Sequence, residues 1–517
     1  MDTSSNGADF PELRKYRSSH PATWIEYQAR RTPGKIALEE LATGIRRSYA
    51  EFYDRIARLT TWLLDHGIRR GDRVAVLAHN SADNFEILYA CAAAGAIMVP
   101  LNWRLTPHEL AAIIADCTPV LLCHDADNAA TARALLTDRP MATLHWGCDP
   151  DTYEVAIRDS TPGAPREDFD DDTPWIIIYT SGTTGRPKGA VHTFRSTLAN
   201  IDNSALTAAI GPDSVVLTVL PTFHVAGLHL YATPALTHGG TVLLMKTFDA
   251  AETLRLFTDH RLGVTHFCGV PTMFQFMSAL PEFADVDLRP VHVAVGGSPV
   301  PPAMITTWRG RGIAMMPVYG ATEAGSTLLF MPPRANPGAG VGVPVLHARA
   351  SIRDADGNEV TAGTTGELWI RGPMTMARYW DKPKQTAAAL TLDGWLRTGD
   401  AALVDANGIF HIVDRWKDMY ISGGENVYPA EVENVLYRHP EIVLAAVIGT
   451  PHPHWGEVGA AYIVRTTDST LTGERIRTWC RERLAAFKIP AHIHFRDDLP
   501  RNATGKIMKN QLRDPGA

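Results

Sequence analysis

The segment Tyr179–Val191, YTSGTTGRPKGAV, sets two hydroxyl pairs, three glycines and a lysine behind the apolar run Trp175–Ile178. Glycines let backbone amides approach oxyanions closely, and consecutive amides form an anion-binding concavity. Lys188 adds a positive charge that can follow a departing phosphate. The composition therefore suits a polyphosphate cradle, although a solvated Gly/Thr turn has the same letters. A Walker A loop is excluded by spacing, because that motif needs Gly, four residues, then Gly-Lys-Ser/Thr. Lys188 lies between Pro187 and Gly189. The other Gly-Lys pair, Gly505-Lys506, lacks the upstream glycine and is followed by Ile507.

Further blocks follow in order: Leu220–Leu228 (LPTFHVAGL), Val295–Pro301 (VGGSPVP), Val318–Gly325 (VYGATEAG) and Gly366–Pro373 (GELWIRGP). Then come Gly394–Asp400 (GWLRTGD), Asp414–Glu433 (DRWKDMYISGGENVYPAEVE) and Leu499–Ile507 (LPRNATGKI). This ordered set resembles the adenylate-forming superfamily of acyl-CoA synthetases, peptide-synthetase adenylation domains and luciferases. It is most similar to a stand-alone fatty-acid or aryl-acid CoA ligase. The resemblance implies ATP, Mg2+ and CoA as cofactors, with a carboxylic acid as the small-molecule partner.

Activation of a carboxylate at the α-phosphate of ATP builds negative charge on leaving pyrophosphate, so cations and fixed donors should aim at those oxygens. The resemblance implies that Thr180, Ser181, Gly182, Thr183, Thr184 and Gly185 hold the β- and γ-phosphates, with Lys188 beside them. It places Thr322 on the α-phosphate and Glu323 on magnesium, a hard cation that takes carboxylate oxygen. Tyr319 and Gly320 would meet adenine on one side, with Gly297, Ser298 and Pro299 on the other. Asp400 and Arg415 would hold the ribose hydroxyls, and Lys506 would reach the bridging oxygen and α-phosphate. Lys417 takes the place of the superfamily's hinge residue. Rotation about it would withdraw Lys506 and bring Ser422, Gly423, Gly424 and Trp455 toward a pantetheine tunnel.

His224 matches the gating aromatic of aryl- and acyl-CoA ligases, and its block carries no carboxylate. A buried, unpaired substrate ammonium would be costly there, so an α-amino acid is disfavoured. Phe223, His224, Val270, Gly296 and Gly297 would line the acyl pocket. The acid is expected to be hydrophobic: fatty, aromatic or polycyclic. Loading of a carrier-protein phosphopantetheine, a luciferase-like oxygenase and a non-catalytic nucleotide-binding relative are the alternatives.

These residues need an α/β scaffold. Ser48 and Glu51 form a capping box before a helix with apolar positions Phe52, Ile56, Leu59 and Leu63, ended by Gly67. Strand patterns at 73–78, 97–101, 119–123, 241–245 and 292–295 alternate with helical ones, the mark of helix-covered sheets. Short strands with Gly/Asp turns fill 338–413 as a small β-rich subdomain. The expected plan is an N-terminal adenylation domain over 1–413, a hinge at 414–417, and a small mobile α+β domain over 418–517. A helix beginning at Pro429, a strand at 443–448 and a helix near 471–484 would build the last part.

Composition bounds the rest. A chain of 517 residues exceeds one core's usual span, so two or more domains are expected. A net charge of −7 argues against nucleic acid as a partner. Six scattered cysteines without a CxxC pair suggest a reducing cytoplasm rather than a disulfide scaffold. The polar N-terminus lacks a secretion signal's apolar core. The longest apolar run, Ile87–Leu101, is too short and broken to span a bilayer. Assembly as a homo-oligomer is left open.

Overall fold

The computed structural model describes residues 20–512 except 167, 181–186, 287, 289, 290, 314, 333–339, 417, 423, 424, 454 and 502–506. For residues 415, 421, 425, 426 and 510 the backbone alone is described. The chain is mixed α/β and forms two compact units. One comprises Met1–Arg349 with Ile370–Leu396, and the other Ala350–Trp369 with Arg397–Ala517.

The first unit holds two sheets. In the seven-stranded sheet the order is 378–379, 188–193, 174–180, 97–100, 73–77, 121–125 and 142–146. Its core strands are parallel, whereas 188–193 runs antiparallel to 174–180 and 378–379 antiparallel to 188–193. In the nine-stranded sheet the central neighbours 315–319, 292–296, 266–269, 215–218 and 241–244 are all parallel. Parallel strands of this kind are buried on both faces, so they read as continuous Val/Ile/Leu runs rather than alternating ones.

Local chemistry sets the boundaries. The Ser48–Glu51 capping box is formed at the start of helix Tyr49–Asp65, and Thr106–Glu109 repeats it before Pro107–Cys117. Helix Ala82–Ala94 is buried at every position, which explains its lack of a polar face. Gly95 ends that helix at φ 77°, and a Cβ there would lie 2.3 Å from the Phe169 ring. Under the nine-stranded sheet, Phe267, Phe274 and Trp308 are fully buried, and Trp308 meets Phe274 edge-on at 5.1 Å. Among the described residues no helix is long and apolar enough to cross a membrane.

The second unit contains a four-stranded sheet, 349–353, 366–371, 396–404 and 410–415. Its other sheet pairs 425–427, 420–422, 456–465 and 442–452, with 492–495 added parallel to 456–465. Helices Pro429–Leu436 and Gly473–Arg481 pack there around Tyr420, Val432, Val447 and Ile463. Asp414 and Arg415 are the last two residues of strand 410–415.

Candidate active site

The connection within Tyr179–Val191 is shorter than its composition suggests. Strand Pro174–Thr180 runs to the first threonine and strand Lys188–Thr193 begins at the lysine, with Thr180 opposite Lys188 in register. The loop is thus a hairpin connection, and ladder hydrogen bonds fix where Lys188 starts. Ser181, Gly182, Thr183, Thr184 and Gly185 lie outside the described residues. A Cβ on Gly189 would stand 2.5 Å from Ile177 and 3.0 Å from the Tyr179 ring, so the hairpin needs glycine there.

Across the nine-stranded sheet, the predicted adenine and acyl residues gather at the carboxyl ends of neighbouring parallel strands. Ligands of open α/β sheets bind at such ends. Strand His266–Gly269 leads into Val270, strand His292–Gly296 into Gly297, and strand Met315–Tyr319 into Gly320. Gly297 takes φ 81°, and a Cβ added to it would touch Val270 at 3.4 Å. A Cβ on Gly296 would fall 2.4 Å from the Val318 carbonyl oxygen. Tyr319 is half-buried, while Ser298 and Pro299 are exposed. A Cβ on Gly320 would be 2.1 Å from the Ser326 carbonyl oxygen, so the turn carrying Thr322 and Glu323 closes tightly on itself.

Three residues without a sequence signal hold that turn. The ring Nε2 of His192 donates to the Thr322 carbonyl at 2.7 Å. Burial lowers the His192 pKa to about 4, so the imidazole is neutral and carries its proton on Nε2. Asn200, buried in helix Phe194–Ala208, accepts from the Ser326 amide at 2.9 Å and the Thr327 amide at 3.3 Å. Its own amide donates to the His229 carbonyl at 3.2 Å. Tyr379 donates its hydroxyl to Glu323 Oε1 at 2.8 Å. Helix Phe194–Ala208 also buries Ser196, Asn203 and Ser204, so polarity alone does not single out Asn200, and Tyr379 offers no signal either. Asn200→Ala should cost about 1–3 kcal/mol by leaving buried amides unpaired. A chemical-denaturation midpoint equal to wild type would contradict that.

On the acyl side, the Leu220–Leu228 block follows strand Val215–Thr218. Asn80 donates to the Leu220 carbonyl at 3.0 Å and accepts from the Thr222 amide at 2.9 Å; Asn84 donates to the Thr222 hydroxyl at 2.8 Å. The chain then enters a π-helical turn, Ala226–Leu230, a conformation frequent at functional sites. A small crevice there is lined by Leu220, Ala226, Gly227, Tyr231 and Cys268. Phe223 is buried and lies 4.5 Å from the His224 ring. Trp103 meets Phe223 edge-on at 6.3 Å, and the Arg104 guanidinium covers both rings at 4.7 and 5.8 Å. Burial, with Arg104 adding a smaller push, lowers the His224 pKa to about 4, and its Nε2 is enclosed without a hydrogen-bond partner among the described residues. Trp103 and Arg104 were not anticipated.

In the second unit, Asp400 and Arg415 are direct partners across antiparallel strands. Asp400 is buried. Its strand is held where Thr398 donates to the Leu368 carbonyl at 2.7 Å and the Gly399 amide to Glu367 at 3.0 Å. Ser422 pairs with Gly456, so two sequence-distant segments of the predicted pantetheine tunnel adjoin; Trp455 is exposed. Lys417, Gly423, Gly424 and Lys506 lie outside the described residues. The Lys506 segment is flanked by an Arg501–Ile507 bridge and by Lys509, whose ammonium pairs with half-buried Glu433 at 2.8 Å.

Comparison with known proteins places this arrangement. The model of the AMP-binding enzyme family matches residues 25–380, and that of the AMP-binding enzyme C-terminal domain matches 431–506. The chain belongs to the AMP-binding enzyme family. It is 39% identical to a feruloyl-CoA synthase of Amycolatopsis sp over 96% of this chain and 99% of that protein. It is 36% identical to an indoleacetate–CoA ligase of Aromatoleum aromaticum, over 95% and 97%. The ATP-bound crystal structure of MatB from Rhodopseudomonas palustris superposes with TM-score 0.88 at 30% identity, covering 96% of this chain and 98% of that one. This AMP-binding enzyme is an acid–thiol ligase that activates its acid as an adenylate.

Proposed function

We propose that the protein is an ATP-dependent acid–CoA ligase for a hydrophobic aryl carboxylic acid. The carboxylate attacks the α-phosphorus, pyrophosphate leaves, and the CoA thiolate then displaces AMP from the acyl adenylate. The observation that carries the substrate class is the ring cluster of Trp103, Phe223 and neutral His224, in the segment that follows the carboxyl end of strand Val215–Thr218. A flat aromatic acid gains edge-to-face contacts from such a wall beyond simple burial. Two relatives named for aryl acids, feruloyl and indoleacetate, support the same class.

In this reading Thr180–Gly185 and Lys188 hold the departing phosphates, and Thr322 meets the α-phosphate. Tyr319 with Gly320 faces Gly297, Ser298 and Pro299 about the adenine, and Asp400 with Arg415 binds the ribose. Lys506 supplies the cation at the bridging oxygen. Lys417 is the hinge between adenylation and thioester formation, dividing a domain over 1–413 from one over 418–517. Ser422, Gly423, Gly424 and Trp455 border the pantetheine arm. Glu323 suits a hard divalent cation: one oxygen takes the Tyr379 hydroxyl, and among the described residues no hydrogen bond falls on Oε2. Mg2+ held there would neutralise phosphate charge. The six cysteines are free thiols, five of them buried, which fits a reducing cytoplasm.

The test is pyrophosphate release over a panel of hydroxycinnamic, indolic, fatty and polycyclic acids, each with CoA, with a holo-carrier protein, or with neither. Aryl acids should turn over most efficiently and only CoA should yield free thioester. Preference for a long fatty acid would overturn the substrate class. Acyl transfer to the carrier but not to CoA would favour the carrier-loading alternative.

A further inference from the structure

The segment Met376–Trp380 is stitched to both halves of the phosphate site. At one end the Met376 amide donates to the Glu323 carbonyl at 2.7 Å. At the other, the Trp380 amide donates to the Gly189 carbonyl at 2.7 Å, and the Ala377 amide to that of Val191 at 2.9 Å. Between them, Arg378 and Tyr379 pair antiparallel with Val191 and Ala190. The Tyr379 amide itself donates to the Thr386 hydroxyl at 3.0 Å. Farther along, Lys382 pairs with Asp116, which also accepts from the Tyr179 hydroxyl at 2.7 Å.

From this braced backbone one side chain reaches both functional groups. Tyr379 is 7% exposed, donates to Glu323 Oε1 at 2.8 Å, and carries the Lys188 ammonium over its ring at 5.3 Å. A phenol is suited to this double duty. Its hydroxyl fixes which carboxylate oxygen is turned inward, while its ring face attracts a cation without neutralising it. A carboxylate from the same place would pair with Lys188 and repel Glu323. An aliphatic residue would leave Glu323 to rotate.

Resting on the reading of Glu323 and Lys188 given above, we propose that Tyr379 is a positioning residue that registers the cation-binding carboxylate against the phosphate-binding lysine. It presents Glu323 Oε2 to Mg2+ and holds Lys188 in place. Outer partners that orient a metal's carboxylate ligand typically govern affinity about 10–100-fold when removed.

The experiment measures ATP binding to the full chain by calorimetry, without acid or CoA, across a Mg2+ titration. Three proteins are compared: wild type, Tyr379→Phe and Glu323→Gln. Tyr379→Phe keeps the ring under Lys188 and loses only the hydroxyl. Its half-saturating Mg2+ should rise about tenfold while Mg2+-free ATP affinity stays within about twofold. A general packing defect would weaken both together, and that result would overturn the proposal. If Glu323→Gln raises the Mg2+ requirement and Tyr379→Phe does not, the positioning role is wrong. If Glu323→Gln itself leaves the Mg2+ requirement unchanged, the reading of Glu323 has failed. Tyr379→Leu, which removes the ring as well, should add about a threefold loss of Mg2+-free ATP affinity, the size of one cation–π contact. Unaltered Mg2+-free affinity in that variant would remove Lys188 from the proposal.

Discussion

Replacing Lys506 by alanine should abolish acid-dependent ATP–pyrophosphate exchange while sparing transfer to CoA from a supplied acyl adenylate. Negative charge accumulates on the bridging oxygen only as the α–β phosphate bond breaks, so a cation delivered there acts in the transition state rather than in binding. Loss of one comparable donor costs about 3–4 kcal/mol, two to three decades in rate. Lys188→Ala should do less, because the phosphates it is proposed to face are charged before and after reaction, and a uniform contact mainly weakens binding. The decisive measurement is the ratio of the two half-reactions. Near-wild-type exchange in Lys506→Ala would remove the lysine from the chemistry, and equal loss of both halves would point to a folding defect. Glu433→Ala makes a useful control, since stranding Lys509 should lower stability of the same segment without removing the Lys506 charge.

The protein should also lose stability steeply between neutral pH and pH 4. Burial is the chief cause lowering the pKa of His20, His192, His224 and His266 to about 4 and of His229 to about 3. Each imidazole binds its proton more readily unfolded, at about 6.5, than folded. The unfolded chain therefore holds more protons in this interval, and stability falls as pH falls. The contribution is complete above 6.5 and is lost as pH drops toward the folded values, on the order of 3 kcal/mol for each group. Asp83 works in the opposite direction: burial chiefly, then neighbouring Glu86 and Glu40, raises its pKa. Its protonated form favours the folded state at low pH, as do those of Asp202 and Glu433, whose pKa values burial also raises, but three carboxyls stand against five imidazoles. Urea midpoints at pH 7, 6 and 5 should decline with uptake of more than one proton on unfolding. A flat profile would show that these rings are hydrated or charged in the folded protein.

Much of the scaffold was legible because it rests on local rules. The Ser48–Glu51 capping box, the apolar strands and Pro429 at a helix start are short-range signals, and each stands where it was expected. The Tyr179–Val191 segment was misread at both ends. Its glycines and threonines suggested loop, but the ladder between Thr180 and Lys188 extends strand into it. Pairing energy comes from the opposite strand and leaves no trace in composition. Tyr379 was illegible for a related reason: its acceptor lies 56 residues earlier, and an aromatic in a short strand ordinarily signals packing. Asn80 and Asn84 likewise acquire their purpose only when two sheets meet. Ser422 and Trp455 could be named separately, yet what joins their segments is the pairing of Ser422 with Gly456, the residue that begins the second strand of a hairpin over 442–465.

The outermost strand of the seven-stranded sheet is supplied by Arg378 and Tyr379, far along the chain from the strand 188–193 it covers. During synthesis that neighbour therefore stays an open edge, with unpaired amides and carbonyls, until the ribosome has produced residue 378 and beyond. Open edges of this kind recruit other chains. The nascent protein thus passes through a long interval in which the strand 188–193 is complete in sequence but unguarded in space. The same two residues that cover the edge include Tyr379, which meets Glu323. Protection from aggregation and the Tyr379–Glu323 contact arrive together.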